Sequence, residues 1–105
     1  MFLALANAAK RDIADIMVFL GEESLDACWR FEQLSFETME MLVRMPRMGH
    51  ERSDLAGPEF TGIRVVSVDE FPNYLILYRF NAERVFVIRV LHGARDVPSA
   101  LRELE

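Results

Sequence analysis

The sequence predicts an α+β fold: an N-terminal strand and a helical hairpin packed on a small, mainly antiparallel sheet, with a short C-terminal helix. Three observations carry this reading. Apolar residues recur at helical spacing over residues 7–45, with one break after Gly21. After residue 62 they crowd into strand-length runs. The connections between those runs are short enough for a meander rather than for crossovers. A length of 105 residues predicts one domain spanning 1–105, able to bury about two-thirds of its unfolded surface.

Taken in order, Phe2-Leu3-Ala4-Leu5-Ala6 is a short strand, weakened by its alanines. Asn7 offers an N-cap, and Ala9, Ile13, Ile16, Met17 and Leu20 mark one helix face as far as Gly21. Asp12 and Asp15 fall on the opposite side. Ser24 caps a longer helix, about Leu25 to Met45, which Pro46 ends. Its polar residues Asp26, Arg30, Gln33, Glu37, Glu40 and Arg44 step by three or four and form one narrow stripe. The remaining surface, including Cys28, Trp29, Phe31, Phe36 and Met41, is apolar and wide enough to need several neighbours: the first helix, the sheet, and a second chain.

Residues 46–60 are rich in Pro, Gly and Asp and read as turns. Strands are predicted at Ile63–Val68, Asn73–Phe80 and Arg84–Leu91, joined by turns at Phe71-Pro72-Asn73 and Asn81-Ala82-Glu83. Asp96 and Pro98 start a last helical turn carrying Leu101 and Leu104. Along the middle strand Tyr74, Ile76, Tyr78 and Phe80 point one way, and Leu75, Leu77 and Arg79 the other. A sheet with one wet face alternates apolar and polar residues, and this one does not. The hairpin covers one face, and the C-terminal turn is too short to cover the second alone. The expectation is that another polypeptide covers it, with Arg79 and Arg89 bordering that face or paired with acids there.

Composition excludes several classes. Twelve Lys and Arg against seventeen Asp and Glu give a net charge of −5, which argues against direct nucleic-acid binding. The one basic stretch holds Arg84, Arg89 and Arg95. A single cysteine, Cys28, cannot form an internal disulfide and suits a reducing, cytoplasmic setting. The apolar stretch Phe2–Ala9 is too short to span a membrane, and Lys10-Arg11 follow it where a signal peptide has them in front. Cys28, His50 and His92 lack metal-ligand spacing, and no phosphate loop or dinucleotide fingerprint is present, so neither metal nor cofactor is expected. Asp69-Glu70 reads as a solvated turn.

The residues also resemble a known family. Pro46-Arg47-Met48-Gly49, the strand-opening Gly62-Ile63-Arg64, Pro72–Arg79 (PNYLILYR) and Val90–Asp96 (VLHGARD) occur in the order and spacing of the RelE/ParE toxin superfamily, closest to its ParE branch. Ala8–Ile16 (AAKRDIADI) is similar to the family's first helix. The resemblance covers essentially the whole chain. It implies a bacterial or archaeal toxin of a type II toxin–antitoxin pair, held in a hetero-oligomer by a ParD-like antitoxin that wraps it with helix and strand contacts. ParE-like members inhibit DNA gyrase; RelE-like members cleave mRNA on the ribosome with basic side chains and a C-terminal aromatic. Under the second reading Arg64 and Arg95 match catalytic positions. Residues 97–105 hold no tyrosine, however, and Lys10 is the only lysine, which favours the non-enzymatic, ParE-like reading. A third alternative is a member that has lost toxicity and keeps only its antitoxin.

Candidate contacts with target or antitoxin are Arg64, Arg79, Arg89, His92, Arg95, Trp29 and Tyr78. Each has a structural alternative: ion-paired arginines on a sheet, a histidine closing the last strand, a core tryptophan, cross-strand tyrosine packing. Met45 and Met48 offer an adaptable rim. Gly93 is expected to let the backbone leave the sheet, so that Arg95 projects beside Arg64 and His92.

Overall fold

The computed structural model describes residues 1–103. The elements are β1 (Phe2–Leu5), α1 (Asn7–Gly21), α2 (Leu25–Arg44), β2 (His50–Glu51), β3 (Arg64–Val68), β4 (Phe71–Phe80), β5 (Arg84–His92) and α3 (Val97–Arg102), with a 3-10 turn at Pro58–Phe60. They form a five-stranded sheet in the order β1-β5-β4-β3-β2. β1 runs parallel to β5, and every other pairing is antiparallel. The predicted fold class holds.

Boundaries differ at instructive places. Asn7 does not cap α1: the N-cap is Ala6, and no side chain serves it. The reason is that Ala6 still belongs to the sheet, its N–H donating to the Val87 carbonyl at 2.9 Å. Ser24 caps α2 as expected, its Oγ accepting from the Ala27 amide. The predicted turn at Phe71-Pro72-Asn73 lies inside β4. The chain reverses one step earlier, at the Asp69-Glu70 pair that the sequence also marks as an exposed turn, and Glu70 adopts the left-handed conformation (φ 65°) that so tight a turn needs. The Glu70 carboxylate is paired with Arg30 of α2. β2 was not foreseen; it is two residues long. Leu104, expected on the last helical turn, lies outside the described residues.

The hairpin α1–α2 covers one face of the sheet. Ala9, Ile13, Phe31, Met39 and Leu42 meet Ile76, Tyr78, Val85 and Val87 there. Phe31 sets its ring edgewise to Phe71 and Tyr74, at 5.4 and 5.2 Å.

The second face contradicts the expectation of a foreign cover. Leu77 and Leu91 are buried on it by Phe60 and Ile63 from the β2–β3 connection and by Val97 and Ala100 of α3. α3 alone is too small, as argued, but the 52–63 segment shares the work. The most exposed large apolar residues lie on the helices: Val18, Phe19, Leu25 and Trp29 are each 59–68% exposed, and Phe2 of β1 is open as well.

Candidate functional site

Sequence motifs far apart in the chain meet at Tyr78. This residue is fully buried, and its hydroxyl donates to the Pro46 carbonyl at 2.8 Å while accepting from the Gly49 amide at 2.9 Å. Arg64, one strand away, donates from Nε and Nη2 to the Gly49 carbonyl and from Nη2 to the Arg47 carbonyl. The Pro46–Gly49 loop is therefore clasped by one tyrosine and one arginine. Gly49 cannot carry a side chain, since a Cβ there would lie 2.6 Å from the Tyr78 hydroxyl and 2.7 Å from the Val65 carbonyl. Tyr78 belongs to the scaffold and has no surface to offer a partner. Arg64 spends its fork on backbone carbonyls.

Arg89 is the second organised arginine. β1 ends at Leu5, so β5 beyond Val87 has no strand on that side. Asp12 fills the gap from α1: its carboxylate accepts from Arg89 Nε (2.7 Å), Arg89 Nη2 (2.9 Å) and the Val90 amide (3.0 Å). Arg89 also donates Nη1 to the Ala100 carbonyl, tying α3 to the sheet. Donating to the Asp12 carboxylate holds the Arg89 guanidinium above even the ordinary arginine range. The expected pairing of a strand arginine with an acid is met here, but periodicity alone, which sets Asp12 opposite the apolar residues of its helix, does not reveal it as the partner. Nothing in the local sequence marks this pair, which is 77 residues apart.

The other candidates are surface groups. Arg79 donates to the Thr61 and Glu59 carbonyls and so pins the connection that covers the second face. Arg95, 43% exposed, pairs with Glu103 at 2.6 Å, while the neighbouring Asp96 caps α3 through Ser99. His92 is exposed; its Nδ1 accepts from the Ala94 amide and its ring meets Tyr74 edgewise at 5.3 Å. Burial raises the Tyr74 phenol above its ordinary pKa. His92, Arg95, Tyr74, Phe19 and Asp15 line a cavity of about 350 Å³ between α1 and the end of β5.

Arg95 does not stand beside Arg64. His92 pairs with Tyr74 and Arg64 with Tyr78, on strands flanking β4. The two ends are about 13 Å apart along the strand direction, plus the width of two strand spacings. Gly93 also lacks the expected special role: it has no positive φ, and a Cβ there would make ordinary contacts at 3.5 Å or more. Trp29 is not part of the core; it stands 59% exposed, one turn from Leu25.

Among the described residues no group of three His, Cys, Asp or Glu is placed to hold a metal ion. No helix among them is long and apolar enough to cross a membrane.

No curated protein sequence matches this one. Among solved structures, the chain is similar to one described as the chromosomal ParDE TA system from P. aeruginosa, with a TM-score of 0.68 and 16% identity over 88% of this chain and 95% of that one. At that identity the likeness establishes the fold. The sequence model of the ParE toxin of the type II toxin–antitoxin system parDE matches residues 3–97, nearly the whole length. The chain thus belongs to the ParE toxin family of type II toxin–antitoxin systems.

Proposed function

We propose that this protein is a toxin that acts by binding rather than by catalysis, with DNA gyrase as its target and a cognate ParD-like antitoxin as its neutralising partner. The observation that carries the non-catalytic part is the fate of the arginines. Phosphodiester cleavage needs guanidinium or ammonium groups free to meet a phosphate and its developing charge. Here Arg64, Arg79 and Arg89 are all engaged with the chain's own carbonyls and carboxylates, and Arg95 is paired with Glu103. Arg64 and Arg95, the two positions a nuclease reading needs, stand at opposite ends of the sheet. The net charge of −5 supports the same conclusion. Support for the antitoxin comes from the exposed apolar residues of the helices and from the family itself.

The test is induction of the chain without its antitoxin, scored for two outcomes at once. We expect a DNA-damage response with stalled gyrase, and no cuts in translated mRNA. Codon-positioned cuts soon after induction would overturn the reading in favour of a ribosome-dependent nuclease. Growth without any effect would favour a family member that keeps only its antitoxin. Co-expression with the antitoxin is expected to restore growth and give one complex on size exclusion.

A further inference from the structure

We propose that the cavity between α1 and the end of β5 binds a free amino acid with a large apolar or aromatic side chain. Polar groups without partners collect there. Tyr74 lines the cavity and is only 9% exposed, yet its hydroxyl meets no hydrogen-bond partner among the described residues. A buried tyrosine hydroxyl is normally bonded, as that of Tyr78 is twice over. The one side-chain polar atom sealed off without a partner among those residues is Ser35 Oγ, so the Tyr74 hydroxyl opens onto accessible space. His92 stands opposite Tyr74 in the β4–β5 ladder. The Ala94 amide donates to its Nδ1, so the neutral ring carries its proton on Nε2. That N–H also has no partner among the described residues.

The lining holds both signs of charge. Arg95 commits Nη2 to Glu103 and keeps the other N–H groups of its fork. The Asp15 carboxylate, on the α1 wall, has no ion pair or hydrogen bond among the described residues. Ile16, Phe19, Val90 and Leu91 supply apolar surface. Phe19 is 65% exposed, and a second ring laid against it is favourable.

These features select the occupant. Around this cavity and the smaller polar one beside it, Asp12, Asp15 and Glu103 are matched in number by Arg11, Arg89 and Arg95. A simple anion or cation therefore meets no excess of the opposite charge, whereas an amino acid carries both. Its carboxylate takes the donors of Arg95, His92 and Tyr74, and its ammonium takes Asp15. Its side chain covers the apolar wall. A space of about 350 Å³ lies at the small end of ligand cavities, which run from about 300 to 1,000 Å³. It suits one amino acid rather than a nucleotide or a peptide. The proposal goes beyond the target and antitoxin named above, and its test reads binding alone.

The probe is L-phenylalanine, titrated into the 15N-labelled full chain and followed by amide shifts. Two analogues share its ring: hydrocinnamate lacks the ammonium, and phenethylamine lacks the carboxylate. L-phenylalanine is expected to move the amides of Asp15, Ile16, Phe19, His92 and Arg95 and to bind at least about tenfold more tightly than either analogue. Tyr74→Phe removes the hydroxyl and keeps the ring; we expect binding about fivefold weaker, with the unfolding midpoint kept. Asp15→Asn is expected to weaken L-phenylalanine and leave hydrocinnamate unharmed. That variant and the comparison of ligands on the unaltered chain decide the matter if Tyr74→Phe does not fold. Equal binding of L-phenylalanine and either analogue, shifts centred elsewhere, or no shifts at millimolar amino acid would each overturn the proposal. So would unchanged binding by a folded Tyr74→Phe.

Discussion

The helical face of the sheet is closed by two long helices whose register is set by their own periodicity. The opposite face is closed by an irregular connection and a six-residue helix, and these are held by side chains of the sheet. Arg79 binds carbonyls of the connection, and Arg89 binds a carbonyl of α3. A helix of 15 or 20 residues satisfies its own backbone and needs only an apolar stripe to dock. A short irregular cover has orphan carbonyls, and an arginine fork is the donor that reaches several at once. The arginines inside these apolar strands therefore serve as fasteners for the weaker cover.

The sharpest way to break this picture is at Asp12. Asp12→Ala leaves the Arg89 guanidinium buried at 6% exposure without its carboxylate, and strips the Val90 amide of its acceptor. We expect a loss of about 3–5 kcal/mol in denaturant-induced unfolding. Adding Arg89→Met should return part of that loss, because the stranded charge goes with it. If the single variant costs no more than a surface substitution, the edge closure described here is wrong.

Neighbouring residues Ile76 and Leu77 compare the two faces directly. Both are fully buried, one under the helices and one under the connection and α3. Each alanine variant should cost about 2–5 kcal/mol. A Leu77→Ala effect under about 1 kcal/mol would mean that the second cover contributes little packing.

Two glycines make a smaller contrast. Gly49→Ala forces a Cβ against the Tyr78 hydroxyl and the Val65 carbonyl, and should cost about 1–3 kcal/mol through displacement of the loop. Gly93→Ala meets only ordinary contacts and should stay within about 0.5 kcal/mol. Thermal unfolding of both variants reads the difference.

The least effect is expected at alkaline pH. Burial raises the Tyr74 phenol, so above about pH 10 the unfolded chain releases this proton before the folded one does. The folded state then binds more protons, and stability falls as pH rises. Tyr74→Phe should make that limb of the stability curve shallower.

Much of the architecture was legible because it is periodic: the two helices, the Ser24 cap and the three long strands declare themselves by spacing. The parts that were not legible share one physical cause. The cover of the second face, the Asp12–Arg89 pair and the Tyr78 clasp all depend on residues distant in sequence, and no local pattern encodes a distant partner. The Asp69-Glu70 turn was legible, but Pro72 suggested that it continued through Asn73, and nothing local marked Glu70 for the left-handed conformation that closes it. Among the candidate contacts, the clasp formed by Arg64 and Tyr78 explains why the Pro46–Gly49 and Gly62–Arg64 motifs occur together. His92 and Arg95 share one cavity as adjacent motif residues should, but Arg64 lies elsewhere.

The parallel pairing of β1 with β5 carries a consequence for synthesis on the ribosome. β1 bonds to β5, the last strand of the sheet to emerge, and Asp12 waits 77 residues for Arg89. Until that arginine clears the exit tunnel, the helical hairpin has no sheet to rest on, and its apolar stripes face water or whatever binds them. Contacts of such long range also slow the closing step relative to the hairpin's own formation. The nascent chain therefore passes through an interval as a bare pair of amphipathic helices, and it acquires its finished surface only once β5 has emerged.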